Sequence, residues 1–357
     1  MADRVTIQDI ADALGVSRNT VSKAINNTGI LADATKEKIL QKAVEMGYKQ
    51  FSYIDISNVH LTKPTHALAE STATDEIALF TANFLSGSHF ASTMLDKFQK
   101  EIAQLGYGLT MHRITKEDIE NLRLPISYNK ERTAGILGIE MFDYRYNKMI
   151  CDLKIPTLFV DAPAFMEEPL KSDILLMNNH DGIYSFVTEM LRRGKKKIGF
   201  IGQYMHCQSF FERYMGYRNV MYLLNLPIIE KYCITGNKEG ATIPGYDTYR
   251  EYLYECFRNM DELPDVFICA NDFVAVDVLQ IFKQLGISVP RDVYLCGFDD
   301  SPESKVTTPS LTTIHIHSQV MGLCATQLLL SRIEEPSMNY RTIHTETNLI
   351  YRESTEG

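Results

Sequence analysis

No stretch of about 18 uninterrupted apolar residues occurs in this 357-residue chain, so a membrane-spanning helix is not expected. Residues 1–20 also lack a secretory apolar core, being broken by Asp3, Arg4, Asp9, Asp12 and Arg18. The seven cysteines (Cys151, Cys207, Cys233, Cys256, Cys269, Cys296 and Cys324) are odd in number, and none stands in a C-x-x-C pair. They read as reduced, buried small hydrophobes of a cytoplasmic protein, not as a disulfide framework. Phosphate-loop patterns (G-x-x-x-x-G-K-S/T, G-x-G-x-x-G), the H-E-x-x-H metal motif and the G-x-S-x-G nucleophile elbow are missing, so no catalytic residue is assigned. The nine histidines are scattered. His315 and His317 alternate along a strand-like segment, which suits an accidental pair better than a metal site, and no metal is expected.

The formal net charge of −9 excludes a chain that coats nucleic acid by bulk electrostatics. Its distribution is uneven. Residues 1–50 hold seven Lys and Arg (Arg4, Arg18, Lys23, Lys36, Lys38, Lys42, Lys49) against six Asp and Glu (Asp3, Asp9, Asp12, Asp33, Glu37, Glu45), leaving −10 for the remainder. A DNA-facing head on an acidic body is permitted by that split, though the strongly basic footprint of many DNA binders is missing. Hydrophobic residues at 45% and charged residues at 23% suit globular domains, and the length suits two or three of them.

The first fifty residues read as three short helices. Thr6 and Asp9 fit a capping box, followed by Ile7, Ile10, Ala11 and Leu14 at helical spacing until Gly15-Val16. Ser17 can cap a second helix reaching about Asn26, with Val21, Ala24 and Ile25 inward. A third runs from about Ala34 to Met46, with Ile39, Leu40, Ala43 and Val44 inward, and Gly47 stops it. Inward Val16 and Val21 leave Arg18, Asn19, Ser22 and Lys23 to face outward as base-contacting candidates. Arg can pair with guanine and Asn with adenine, each worth about 1–3 kcal/mol of discrimination. Thr6, Ser17, Thr20 and Asn26 stand near helix starts and edges, where hydroxyls and N–H groups meet phosphate. An ordinary three-helix subdomain with a solvated polar face fits the same spacing.

Residues 51–75 lose periodicity, are rich in Ser, Thr and His, and read as a linker. From Ile77 onward strand-like runs alternate with amphipathic helices. Strands are expected at Ile77–Thr81, Tyr107–Met111, Gly135–Ile139, Thr157–Val160, Ile198–Ile201, Val266–Ala270 and Val293–Gly297. Helices are expected through Phe90–Leu105, Ile183–Leu191 and Asp272–Leu285. Such β-α alternation implies parallel sheets with helices on both faces, long enough for two lobes.

Val5-Thr6-Ile7-Gln8-Asp9-Ile10-Ala11, Gly15-Val16-Ser17, Thr20-Val21-Ser22 and Asn26 resemble the head of the LacI/GalR family of transcriptional repressors. Further landmarks follow in family order. They include Ile155 to Asp161, Gly194 to Gly202, Pro264 to Asp272, Leu285 to Val293, Gly297-Phe298-Asp299-Asp300, Pro309 to Ile314 and Tyr351-Arg352-Glu353-Ser354. The resemblance implies a helix-turn-helix head over 1–50 and a periplasmic-binding-protein-like core of two doubly wound parallel-sheet lobes over 76–357. The first lobe is expected at about 76–176 and 316–343, the second at about 177–315 and 344–357. It also implies a homodimer on a near-palindromic operator, an effector in the cleft, a sugar by family default, and no cofactor. Family effector positions carry over onto Ser88, His89, Phe90, Asp161, Asn179, Ser209, Arg213, Asn271 and Asp299. Arg213 and Asp299 suit vicinal hydroxyls, with Phe298 or Phe90 to stack. One region departs from the family. Tyr48 is followed by Lys49-Gln50-Phe51 in place of the Pro-Asn that precedes a hinge helix, and Leu61 is the candidate minor-groove wedge, with an ordinary linker leucine as the alternative. The rival functions are a sugar-active enzyme and a solute-binding protein with the same cleft.

Overall fold

The computed structural model describes residues 5–25, 33–46, 76–82, 89–236 and 248–356. Asn26, Leu61, Ser88 and the 51–75 linker lie outside the described residues, as does the side chain of His89.

Three helices make the head: α1 (Ile7–Leu14), α2 (Arg18–Ile25) and α3 (Asp33–Glu45). Thr6 starts α1 with a reciprocal box. Its Oγ1 accepts from Asp9 N, and the Asp9 carboxylate accepts from Thr6 N at 2.7 Å. Gly15 ends α1 at φ 64°, a left-handed position that costs glycine little. Ser17 Oγ accepts from Thr20 N at 3.0 Å and starts α2. The three helices share one core of Ile10, Ala11, Val21, Ala24, Ile25, Ile39, Leu40 and Ala43, all buried.

The body begins with β1 (Glu76–Thr81), α4 (His89–Gln104), β2 (Gly108–Arg113), α5 (Lys116–Asn121), β3 (Thr133–Ile139), α6 (Tyr144–Asp152), β4 (Thr157–Val160) and β5 (Asp173–Met177). It continues through α7 (Asp181–Arg192), β6 (Ile198–Ile201), α8 (Gln208–Leu223), β7 (Cys233–Ile234), α9 (Tyr249–Arg258), β8 (Val266–Cys269), α10 (Asp272–Leu285) and β9 (Tyr294–Cys296). The chain closes with α11 (Pro302–Val306), β10 (Thr313–Ile316), α12 (Ser318–Glu334), β11 (Thr342–Thr345) and β12 (Thr347–Ile350).

One sheet is ordered β11-β5-β4-β3-β1-β2 and the other β7-β6-β8-β9, and every neighbouring pair in both is parallel. Runs such as Ile77–Thr81 and Thr157–Val160 are buried throughout, because helices cover both faces of a parallel sheet. The chain passes between lobes after β5, between β10 and α12, and between β11 and β12. β10 and β12 pair antiparallel at this joint. Two close approaches depend on glycine. A Cβ at Gly138 would stand 2.4 Å from the Phe159 ring, and one at Gly322 would stand 2.5 Å from the Met94 carbonyl, where α12 lies on α4.

Buried charge holds the first lobe's far edge together. Asp173 accepts from Arg332 Nη2 at 2.9 Å and from Arg341 Nη2 at 2.6 Å, and the two guanidinium groups hold its carboxyl below the usual range despite its burial. Among the described residues no helix is long and apolar enough to cross a membrane.

Candidate functional site

Open α/β sheets bind ligands outside the carboxyl ends of their strands, where strand order reverses. Here β1 lies between β2 and β3 in one sheet, and β6 between β7 and β8 in the other. The segments leaving β3, β4, β6, β8 and β9 converge on a cavity of about 630 Å³. One wall carries Phe90, Glu140, Phe142 and Asp161; the facing wall carries His206, Ser209, Phe210, Arg213, Tyr249, Asn271, Phe273, Asp277 and Asp299.

Arg213 is the best-held side chain in this cavity. It projects from α8, is 3% exposed, and donates from Nε to Asn179 Oδ1 at 2.9 Å and from Nη1 to the Ala270 carbonyl at 2.6 Å. Its guanidinium lies 3.5 Å from the centroid of Phe298 and 5.5 Å from that of Phe210. Nη1 also stands 3.6 Å from Asp299 Oδ1. Burial pushes the Asp299 carboxyl up to about 8, because lost hydration outweighs the pull of Arg213, and Asp272, Glu140 and Asp161 push the same way as burial.

Asp161 joins the two walls. Its Oδ1 accepts from its neighbour Ala162 N at 2.7 Å and from Ser209 N, at the start of α8, at 3.1 Å. Beside it Gln208 N donates to the Ala162 carbonyl at 2.8 Å. Burial raises the Asp161 carboxyl, opposed by these N–H donors. Glu140, Asp161 and Asp299 all occupy left-handed backbone, at φ 58°, 65° and 113°. Each such position costs on the order of 1–3 kcal/mol for a residue with a side chain, and such strain clusters at binding sites.

The sequence candidates separate in this geometry. Phe90, Asp161, Ser209, Arg213, Asn271 and Asp299 line the cavity. Asn271 also caps α10, accepting from Val274 N at 3.0 Å. Asn179 is fully buried behind Arg213, bonding that guanidinium and donating to Glu212 at 2.8 Å, so it orients the arginine and does not face the cavity. Phe298 is 1% exposed with Arg213 over its face, so it cannot stack on a ligand; the arginine occupies that surface. Glu140, Phe142, His206, Phe210, Tyr249, Phe273 and Asp277 were not singled out from sequence. The signal for Glu140 was present: it follows β3 as Asp161 follows β4. Phe142 and His206 meet edge to face at 5.0 Å, and His206 and Phe210 lie tilted to each other at 5.2 Å.

Below the cavity, His315 Nδ1 lies 2.9 Å from Asp300 Oδ2, and its ring meets His317 at 4.8 Å. No group of three or more His, Cys, Asp or Glu among the described residues could hold a metal ion.

In the head, Val21 is buried, Ser22 is half-buried, and Arg18, Asn19 and Lys23 are exposed. Arg18 with Ser22, and Asn19 with Lys23, are pairs four residues apart and therefore share one face of α2. Ser17 and Thr20 hydroxyls bond each other at 2.7 Å at its start.

A family model described as bacterial regulatory proteins of the lacI family matches residues 6–50, and one described as a periplasmic binding protein-like domain matches residues 187–355. The chain belongs to the LacI family. Relatives run its full length. An HTH-type transcriptional repressor PurR of Actinobacillus pleuropneumoniae serotype 3 is 26% identical over 99% of this chain and 98% of its own. PurR of Haemophilus influenzae strain PittEE is 27% identical over 99% of each. Among solved structures, a transcriptional regulator CelR–cellobiose complex superposes with a TM-score of 0.68 at 21% identity, covering 98% of this chain and 100% of that one. A lac repressor dimer bound to operator and the anti-inducer ONPF gives 0.62 at 19%, covering 99% and 100%. This LacI-family chain is accordingly a DNA-binding transcriptional repressor and not an enzyme. It binds operator DNA and a small-molecule effector.

Proposed function

We propose that this repressor senses a sugar in the interlobe cavity and that occupancy sets the operator affinity of its α2 face. The observation that carries the reading is the Arg213–Asp299 pair at 3.6 Å, held at the cavity wall by Asn179 and Phe298 and faced by Asp161. A guanidinium donates and carboxylates accept, which matches the alternating donor and acceptor character of adjacent hydroxyls. The cellobiose complex of the CelR neighbour supports a sugar over other small molecules.

In this reading residues 1–50 form the head, 51–75 the linker and 76–357 the sensing and dimerisation body. Two bodies associate as a homodimer, placing two heads on a near-palindromic operator in the cytoplasm. Arg18, Asn19, Ser22 and Lys23 read base edges, while Thr6, Ser17, Thr20 and Asn26 approach phosphates, with Leu61 as the candidate wedge. Operator affinity followed by fluorescence anisotropy while cellobiose and related sugars are titrated tests the coupling. A sugar that binds the body yet leaves operator affinity unchanged at saturation refutes it.

A further inference from the structure

A cavity of about 630 Å³ is larger than one sugar ring requires. Even if each non-hydrogen atom is allowed the roughly 30 Å³ of a liquid water, the about a dozen such atoms of a hexose fill little more than half of it. The polar groups are spread accordingly. Arg213 and Asp299 stand at the start of α10, where Arg213 Nη1 donates to the Ala270 carbonyl at 2.6 Å and Asp272 N donates to the Phe298 carbonyl at 2.7 Å. Asp277 lines the same cavity farther along that helix. At about 1.5 Å per residue its backbone lies about 9 Å from that of Asn271 along the axis. Opposite hydroxyls of one hexose are only roughly 6 Å apart, about four bonds of 1.5 Å.

Asp277 is also the acid of this cavity whose bonding capacity is left open. It is half-buried and makes no hydrogen bond or ion pair with any described residue, whereas Asp161 accepts from Ser209 N and Asp299 pairs with Arg213. Burial pushes its carboxyl up, and Arg250 on α9 pulls it down from within electrostatic reach, so no cationic ligand is needed to balance it. Two rings flank it. Phe273 precedes it by four residues, on the same face of α10, and also lines the cavity. Tyr249 opens α9, lies within electrostatic reach of Asp277, and stacks on Tyr252 at 6.0 Å. The Tyr249 hydroxyl is sealed from solvent, so the ring and not the oxygen meets the cavity.

We propose that Asp277, Phe273 and Tyr249 form a second sugar subsite and that the effector is a disaccharide. One ring is held by Arg213, Asp299 and Asp161; the other bonds Asp277 through its hydroxyls and packs on the two aromatic rings. The inference rests on the sugar-effector reading and narrows it from a sugar to one of two linked rings. A carboxyl group between aromatic rings suits a pyranose, whose hydroxyls project from its edge as donors while its C–H groups present an apolar face. A single ring at the Arg213 end would leave Asp277 unbonded and both aromatic rings wet.

The test titrates the full chain by calorimetry with cellobiose, maltose, lactose, sucrose and trehalose, against glucose and galactose. The expected result is that at least one disaccharide binds about tenfold or more tightly than either monosaccharide. In Asp277→Ala that ratio narrows by at least about tenfold, the loss expected for hydrogen bonds to a carboxylate. Where the monosaccharide is too weak to titrate, the fall in disaccharide affinity is read directly. Circular dichroism and a thermal melt establish that the variant is folded, and Phe273→Ala replaces it if it is not. A monosaccharide that binds as tightly as every disaccharide overturns the two-ring inference while leaving the sugar reading intact. An unchanged ratio in a folded variant overturns the second subsite. Binding of no sugar of either class, by protein that still binds operator, overturns the sugar reading and this inference with it.

Discussion

Replacing Asp299 by Asn separates the two forces on the cavity's central carboxyl. At 3.6 Å and an effective dielectric of about 20, Arg213 attracts the ionised form by about 4–5 kcal/mol. Burial opposes it and prevails, lifting the group from 3.8 in the unfolded chain to about 8 in the folded one. Between those values the folded chain binds a proton that the unfolded chain has released. The stabilising contribution of Asp299 is therefore fully present below about pH 4 and is lost as pH rises through about 8. A shift of about 4 units corresponds to a ceiling of about 6 kcal/mol, with a slope of at most about 1.4 kcal/mol per pH unit. Asn has the same shape and no proton to lose. The stability of Asp299→Asn relative to the parent should therefore rise with pH from about 5 to about 8 and level off above that. Urea unfolding at each pH, followed by tyrosine fluorescence, measures the difference; the chain has 19 Tyr and no Trp. A gap that stays flat or shrinks with pH means that Arg213 keeps Asp299 ionised throughout, and the reasoning fails.

Arg18→Ala should relax preference at one operator position by about 1–3 kcal/mol, read by anisotropy against a panel of single-base operator variants. A uniform loss on every sequence would make Arg18 a phosphate contact instead. Asp173→Ala should destabilise the body by about 3–5 kcal/mol, because Arg332 and Arg341 lose their shared buried partner; a urea midpoint unchanged from the parent refutes that. At Gly297 a Cβ would stand 2.0 Å from Asp272 Oδ1, whose carboxyl is fixed by Ser301 N and Thr313 Oγ1. Gly297→Ala should therefore lower stability by about 1–3 kcal/mol in a thermal melt, and a neutral outcome would show that Asp272 has room to move.

Periodicity and caps carried most of the fold in the sequence. The Thr6–Asp9 box and Gly15 mark both ends of α1, and Asp272–Leu285 coincides with α10 from its Asn271 cap to Gly286. The strands at Thr157–Val160 and Ile198–Ile201 match to the residue, because strands covered on both faces are continuous apolar runs. α8 gave no such pattern. It buries Ser209, Arg213 and Gly216 together with Tyr214 and Tyr217, so its inward side is mixed and no apolar stripe stands out. β7 has only two residues, β12 takes its form from pairing with β10 at the lobe joint, and β11 takes its form from pairing with β5 at the edge of the larger sheet, pairings that no local pattern encodes.

The cavity was partly legible for a different reason. Asp161, Arg213 and Asp299 came from resemblance, while Glu140 and Asp277 resemble ordinary solvated charges until the strands converge. Asn179 and Phe298 show the reverse error, since both stand beside the right residue but behind it. Sequence spacing locates a strand end; it does not say which of two neighbours faces the opening.

How the cavity could govern the head follows from what already joins the lobes. Ser209 N donates to Asp161 and Gln208 N to the Ala162 carbonyl, so the walls are tied at one edge by two bonds. Each such bond contributes about 1 kcal/mol net, somewhat more where the acceptor is ionised. Driving a two-state lobe arrangement from nearly one form to nearly the other needs about 5.5 kcal/mol of differential binding. The existing ties supply less than that, so they bias the arrangement without fixing it. Two to four hydroxyl bonds spanning Glu140 or Asp161 on one wall and Arg213, Asn271 or Asp299 on the other would make up the difference. A ligand bonded to a single wall would bind without moving the equilibrium, because it would gain equally in both forms. Regulation through this cavity therefore requires a ligand long enough to bridge it.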